Sequence, residues 1–398
     1  MKFLKKLLGD ADVEWLPLGE MVDLKKGRQM NKELLTNEGL YPAYNGGISH
    51  SGFTNTYNYD ENTIIVSQGG ASAGFVNYVR SKFYANAHCY VVLPHIDILS
   101  NRYAYHFLKL NQNVLTGGQY GAGIPALKKD DILDLLIPIP YPGDAKASMD
   151  IQNEIVRILD TFTEITTELT TELTLREKQY MYYSNSLLKF SKEGIKPSLL
   201  KKILGHSDIA WLPLGEMIDI EKGKQMNKEL LTNEGLYPAY NGGASHSGFV
   251  NTYNYNENTI IVSQGGASAG FVNFVKSKFY ANAHCYVILP HAKKLSNRYA
   301  YHFLKLNQNV LTGGQYGAGI PAMKKSNILD LSIPIPCPDN NKKSLNIQSD
   351  IVNILDKFDM LINSISDGLP REIELRQKQY EYYRDLLFDF PKTKGATK

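Results

Sequence analysis

The chain is poor in cysteine, tryptophan and long apolar runs, and each shortage excludes something. Three cysteines in 398 residues (Cys89, Cys285 and Cys337) cannot build a disulfide framework, and no CxxC spacing suggests zinc. No segment approaches ~20 continuous apolar residues, so no membrane span is expected. The opening MKFLKKLLGDAD has lysines but too short an apolar run for a secretory signal, and a cytoplasmic location is expected. Neither sign of charge dominates. Lys plus Arg is 43 and Asp plus Glu is 40, a net charge of +3. That excludes a histone-like polycation and leaves room for local basic patches.

Signature motifs of catalysis are missing as well. There is no GxxxxGKS or GxxxxGKT loop, and GGASAG from Gly69 is not one. Gly121-Ala122-Gly123 is too short for a dinucleotide fingerprint. No Asp- or Asn-Pro-Pro-aromatic sequence, which an amino-methyltransferase uses around its target base, is present. His88 and Cys89 are adjacent on an expected strand, so they point to opposite faces. Cys89 reads as a buried small hydrophobe. His50, between two serines, reads as a turn residue.

What the chain does have is itself, twice. At an offset of 196, residues 12–140 match residues 208–336 at 110 of 129 positions, about 85%. A period that long is a duplicated domain, not a solenoid. IQNEIVRILDTF from Ile151 matches IQSDIVNILDKF from Ile347. LREKQYMYYSNSLLKF from Leu175 matches LRQKQYEYYRDLLFDF from Leu375, now at an offset of 200. The four extra residues fall around 366–370, where Gly368 and Pro370 signal a stop and restart. LKKLLG from Leu4 matches LKKILG from Leu200, so the order is tail, domain, helix, tail, domain, helix.

Residues 151–190 read as one long helix of roughly 60 Å. Its apolar residues (Ile151, Ile155, Ile158, Phe162, Ile165, Leu169, Leu173, Tyr180, Tyr183, Leu187 and Phe190) step by threes and fours, the seam of a coiled coil. The expected partner is the equivalent stripe of residues 347–390. Inside each repeat, the stretches from Thr63 and Cys89 read as strands, Asn101 onward as helix, and Lys128 onward as a short helix or turn. The fold class is α+β: two near-identical mixed domains separated by two long antiparallel helices, with pseudo-two-fold duplication. The expected boundaries are a tail at 1–11, domain 1 at 12–147, a long helix at 148–192, a linker at 193–207, domain 2 at 208–343, a second helix at 344–390 interrupted near 366–370, and a tail at 391–398.

Four loops per repeat are polar, basic and glycine-rich: residues 25–32, 41–53, 67–77 and 116–129. Glycine lets a backbone approach a ligand closely. Asn and Gln suit adenine edges, Arg and Lys suit guanine, and Lys, Ser and backbone N–H groups suit phosphates. The candidate DNA contacts are Arg28, Gln29, Lys32, Asn45, Ser67, Gln68, Ser72, Asn77, Gln119, Tyr120, Lys128 and Lys129. Their equivalents are Lys224, Gln225, Lys228, Asn241, Ser263, Gln264, Ser268, Asn273, Gln315, Tyr316, Lys324 and Lys325. No catalytic or metal-ligating residue is expected.

WLPLGEM (Trp15), YPAYNGG (Tyr41), SQGGASAGFVN (Ser67), TGGQYGAGIPAL (Thr116), IPIP (Ile137) and the two helix motifs, in that order and twice over, carry a resemblance. The chain resembles the DNA-specificity subunits of type I restriction–modification systems over essentially its whole length. The resemblance implies two target recognition domains held apart by two antiparallel helices, each reading half of a bipartite site in double-stranded DNA. It implies no catalysis and no cofactor in this chain. Two modification (methyltransferase) subunits would dock on it and methylate adenine with S-adenosylmethionine. Restriction subunits using ATP and Mg could join. Family members usually carry two unlike domains, whereas these are near-identical, so matching inverted half-sites are expected. Two other readings stay open on sequence alone: a stand-alone regulator of an inverted repeat, and an enzyme using Cys89 and Cys285.

Residues 166–173 spell TTELTTEL, a four-residue stutter in the stripe. One unit adds ~6 Å of helix, one to two base-pair steps of about 3.4 Å. Deleting one TTEL unit is expected to keep both half-sites and shorten the spacer, as mapping of modified adenines would show. An unchanged spacer would mean that the interrupted second helix sets the length.

Overall fold

A computed structural model describes residues 12–117, 125–190, 203–205, 207–313, 322–363 and 368–391. The chain forms two compact units, and they do not follow the repeats. Unit 1 comprises residues 1–169 and 372–398, and unit 2 residues 170–371. Each unit therefore combines one globular domain with helix segments from both repeats.

In unit 1, β1 (Val13–Pro17) pairs antiparallel with β9 (Leu136–Pro140) and ties the two ends of the domain together. A four-stranded antiparallel sheet has the order β2 (Val22–Lys26), β8 (Cys89–Pro94), β5 (Thr63–Ser67), β6 (Val76–Val79). The β-branched run of β5 is buried along its whole length, as an inner strand requires. A three-stranded sheet has β3 (Tyr41–Tyr44) between β4 (Gly52–Thr54) and the short β7 (Tyr84–Ala85). The β3–β7 pair is parallel. Helix α1 (Asn101–Leu110) buries Tyr103, Ala104, Phe107 and Leu108 in the core, and α2 (Gln112–Gly117) follows after Asn111. The stretch after Lys128 is the one-turn α3 (Asp130–Leu133).

The long helix α4 (Ala145–Leu188) starts earlier than the stripe suggested, because Asp144 caps it. The Asp144 carboxylate accepts from the Ala147 N–H at 3.0 Å. It ends before Phe190, whose φ of 40° lies in the left-handed region. Its threonines are turned inward on their own helix: the Thr161, Thr163, Thr166, Thr167 and Thr174 hydroxyls donate to carbonyls four residues back. Unit 2 repeats the domain through β10 (Ile209–Pro213), β11 (Ile218–Lys222), β12 (Tyr237–Tyr240), β13 (Gly248–Val250), β14 (Thr259–Ser263), β15 (Val272–Val275), β16 (Tyr280–Ala281), β17 (Cys285–Pro290) and β18 (Ser332–Pro336), with the same pairings. Helices α5 (Asn297–Leu306), α6 (Gln308–Gly313) and α7 (Ser326–Leu329) take the places of α1 to α3. The second long helix is two elements, α8 (Asn341–Asn363) and α9 (Leu369–Leu387). The interruption was expected near 366–370: Gly368 immediately precedes α9, and residues 364–367 lie outside the described residues.

The helix faces divide their work. The deepest residues of the first half of α4 are Gln152, Ile155 and Leu159, which face the domain. Gln152, not part of the apolar stripe, is fully buried and fully engaged. Its Oε1 accepts from the Ser100 N–H at 2.8 Å, and its Nε2 donates to the Ile98 carbonyl at 3.0 Å and to Ser148 Oγ at 3.1 Å. Gln348 does the same in unit 2. The stripe pairs the helices of opposite repeats, as its spacing implied. Phe162 stacks on Tyr383 in unit 1, with ring centroids at 5.1 Å. Tyr183 stacks on Phe358 in unit 2 at 5.2 Å.

One polar cluster joins all three parties in each unit. In unit 1, His106 of α1 is fully buried. Its Nε2 lies 2.8 Å from Asp160 Oδ1 of α4, and its Nδ1 3.0 Å from the Tyr380 hydroxyl of α9. Arg102 also pairs with Asp160, and its guanidinium lies against the rings of Tyr78 and Tyr105. In unit 2, His302 bridges Asp356 and Tyr180 in the same way, and Arg298 reaches both Asp356 and Asp359.

Burial pushes the His106 imidazole below its ordinary value, against the pull of the Asp160 hydrogen bond. The neutral ring then donates from Nε2 and accepts the Tyr380 hydroxyl at Nδ1. Burial pushes the Asp160 carboxyl up, but hydrogen bonds from His106 and Arg102 outweigh it and hold the group down at about 2. Both groups titrate lower in the folded state. The stability they confer is therefore complete above their ordinary values and is lost as pH falls, first below the histidine range and then between 3.8 and about 2. Asp160→Ala is expected to cost roughly 3–5 kcal/mol at neutral pH and to remove the lower acid step. Denaturant unfolding across pH would show both.

Candidate nucleic-acid interface

The interface is built from a turn upward. Between β7 and β8, residues 86–88 make a tight turn around the buried Asn86. The Asn86 side chain accepts from the Ala87 N–H at 2.6 Å, and its carbonyl accepts from the Cys89 N–H at 3.0 Å. The first candidate loop leaves β2 directly onto this turn. Gly27 N–H donates to the Cys89 carbonyl and Arg28 N–H to the Ala85 carbonyl, both at 2.9 Å. A Cβ at position 27 would sit 2.1 Å from the Asn86 oxygen, so only glycine fits.

The second loop crosses the same turn. Tyr44 carbonyl accepts from the Asn86 N–H at 2.9 Å. Gly46, at φ +78°, lays its N–H on Cys89 Sγ at 3.3 Å. The third loop joins through Gln68 N–H, which donates to the His88 carbonyl at 2.8 Å. The described end of the fourth loop is pinned to the third: Gly70 N–H donates to the Pro125 carbonyl, and Leu127 N–H to the Gln68 carbonyl. Three of the four loops chosen by composition thus meet at one turn, and the described end of the fourth joins them through the third; these backbone contacts recur in unit 2, where the counterpart of Pro125 lies outside the described residues.

The candidate residues sort into three groups. Arg28, Gln29, Lys128 and Lys129 are exposed, as are Lys224, Gln225, Lys324 and Lys325. Lys325 Nζ also donates to the Ile220 carbonyl at 2.8 Å. Gln68 and Ser72, with Gln264 and Ser268, are half-buried at the loop surface. A second group acts as struts. Ser67 is buried and its hydroxyl donates to the Gly47 carbonyl at 3.3 Å, while Asn77 Nδ2 donates to the Ile48 carbonyl at 3.0 Å. Ser263 and Asn273 repeat this. These four hold the second loop against the third. Asn45 is half-buried with Oδ1 enclosed and unpaired, an orphan repeated at Asn241. The third group, Gln119, Tyr120, Gln315 and Tyr316, lies outside the described residues, as do the side chains of Lys32 and Lys228.

Composition overlooked His88 and His284, because the turn that presents them is short and carries no basic or glycine-rich signal. Both are exposed at the meeting point of the loops. The cysteine reading is settled by burial, which pushes the Cys89 and Cys285 thiols up to about 11. A buried, protonated thiol is no nucleophile. His50 packs on Phe53, as a turn residue does. Among the described residues, no group of three or more His, Cys, Asp or Glu could hold a metal ion, and no helix is long and apolar enough to cross a membrane.

A family profile described as the type I restriction modification DNA specificity domain matches residues 11–176 and again 207–375. The chain belongs to the type I restriction–modification DNA-specificity subunits. Members of that family are the non-catalytic, sequence-reading components of their systems. This specificity subunit is 32% identical to that of the Escherichia coli type I restriction enzyme EcoR124I/EcoR124II over 416 residues, 98% of either chain. It is 28% identical to the Escherichia coli EcoprrI specificity subunit, over 92% of each. Among solved structures, the type I restriction–modification S subunit of Mycoplasma genitalium shares the fold with a TM-score of 0.71, at 22% identity and 96% and 98% coverage. A chain from a study of complex assembly and conformational transition of the type I system matches at 0.52, with 15% identity and 94% and 97% coverage.

Proposed function

We propose that each unit reads one half of a bipartite DNA site and that the two halves are the same sequence in inverted orientation. The observation that carries this is the sameness of the two loop clusters. Of the twelve candidate positions, only Arg28 against Lys224 differs, and the backbone bonds that place the loops repeat almost bond for bond. Two readers of one kind select two half-sites of one kind. The inverted orientation is proposed by analogy with symmetric DNA binders, whose like halves read inverted half-sites. Cleft-like chemistry is absent from the proposal. Adenine methylation falls to modification subunits carrying S-adenosylmethionine, and cleavage, where restriction subunits join, to subunits using ATP and Mg. Single-molecule sequencing of modified adenines tests it: two matching inverted halves around a fixed spacer are expected, and two unrelated halves would overturn it.

Each unit also offers one seat for a modification subunit. In unit 2, Leu175, Arg176, Lys178, Gln179 and Tyr182 line a groove on α4. In unit 1, Leu375, Arg376, Lys378, Gln379 and Tyr382 line its equivalent on α9. Tyr182 and Tyr382 stand largely exposed in them, at 60% and 64%. Apolar residues at helical spacing inside a charged rim suit an amphipathic helix, and two grooves match two modification subunits. Tyr182→Ala with Tyr382→Ala is expected to abolish co-purification of the modification subunit while the free specificity subunit keeps its melting temperature. Undiminished co-purification would place the seat elsewhere. Retention of full DNA affinity and specificity without any modification subunit would instead favour a stand-alone regulator.

A further inference from the structure

We propose that His88 and His284 are the base-reading side chains at the centre of the two loop clusters, each donating a hydrogen bond to a purine N7 in the major groove of its half-site. The proposal rests on the DNA-reading function above and goes on to assign one of its specificity-determining residues.

Four observations support it. First, the backbone under His88 is fixed from several sides. Its carbonyl accepts from Gln68 N–H, and the turn it belongs to is held by the buried Asn86 and by the first and second loops. The position of the His88 Cα relative to the four loops is thereby fixed, while the exposed ring keeps its own rotamer freedom. Second, two of its described neighbours are glycines. A Cβ on Gly46 would lie 3.2 Å from the His88 Cβ, and one on Gly69 would lie 4.0 Å from His88 Nδ1. The imidazole therefore stands in a clearing floored by glycine backbone, which a base pair can approach closely.

Third, the ring is unengaged. Among the described histidines of unit 1, His50 packs on Phe53, His95 pairs with Asp23, and His106 is held by Asp160 and Tyr380. The His88 ring, by contrast, has no hydrogen bond, ion pair or ring contact within the described residues. His284 stands in the same setting among His246, His291 and His302, each of which has a partner. Fourth, the charged candidates are lysines and an arginine on the loops around it. Those suit phosphates and register, leaving the central position to a group that can be a neutral donor. A neutral imidazole offers one N–H and one ring nitrogen acceptor. Purine N7 is an acceptor on the major-groove edge of both adenine and guanine.

The test uses the specificity subunit assembled with its modification subunits, and duplexes carrying the mapped site. His88→Ala with His284→Ala is expected to make one purine position in each half-site degenerate, with discrimination there falling about tenfold. The other positions and the salt dependence of binding should be unchanged. Duplexes with 7-deazapurine at that position should weaken the unsubstituted complex by a similar factor and leave the double variant unaffected. The deaza experiment needs no variant to fold, and a His88→Gln, His284→Gln pair, which keeps a donor, should retain part of the preference. A uniform loss across all sequences with a shallower salt slope would make the histidines phosphate contacts and overturn the proposal. Unchanged specificity, or no sensitivity to any 7-deazapurine, would overturn it too. Failure of the unsubstituted complex to select any bipartite site would instead defeat the underlying DNA-reading function.

Discussion

A single carboxylate in each unit fixes how the domain meets its helices. Asp160 lies on α4, its hydrogen-bond partner His106 on α1, and the hydroxyl that completes the imidazole on α9. Apolar packing alone would let the helices slide along one another, since a Leu or Ile fills neighbouring positions on a stripe almost equally well. The buried histidine does not tolerate that slippage. A shift of one turn would leave an imidazole, a carboxylate and a guanidinium inside the protein without partners, and the cost of unpaired buried polar groups is high. The cluster therefore sets a register between the reading domain and the helices, and unit 2 repeats it with Asp356, His302 and Tyr180. The placement of the reading loops depends on that register.

The loops themselves are placed by a second constraint. The first three are gathered by backbone bonds to the 86–88 turn and the residues flanking it, and the described end of the fourth by backbone bonds to the third. Side-chain identity at the loop tips is thereby freed from structural duty, apart from the struts Ser67 and Asn77. Glycine supplies the close approach at Gly27, where an atom more would collide with the Asn86 carbonyl. The result is a rigid frame on which exposed residues can change without disturbing the fold, and the two repeats bear this out. Lys224 takes the place of Arg28 and Ala244 that of Ile48 on frames with the same hydrogen bonds.

Much of this was legible in the chain. The duplication is explicit. The strands at Thr63–Ser67 and Cys89–Pro94 announce themselves by β-branched runs, and α1 by its periodicity, because these signals are local. The four loops were legible from composition, as sets of residues. Their meeting was not, since it depends on the parallel β3–β7 pairing and on a turn with no distinctive composition. Gln152 and His106 were illegible for the same reason. Each is a polar residue whose burial makes sense only beside partners that are far away in sequence, 274 residues away for Tyr380. Polar residues on a helix look like surface until the third dimension supplies what they bond to. Ser67, conversely, looked like a reader because its motif is polar, although its strand is buried throughout.

The exchange of helix segments also dictates an order of events. Unit 2 is one unbroken stretch of chain, whereas unit 1 needs its first 169 residues and the stretch from Glu372 onward. On the ribosome, the amino-terminal domain emerges first. Yet its core lacks Leu387, Phe388 and Phe390, and His106 lacks the Tyr380 hydroxyl, until α9 and the residues just after it have been made. The domain that is synthesised first is the last to be finished. A product truncated within α9 would carry a complete second unit and an open first one, so a helix of the second repeat closes the domain of the first.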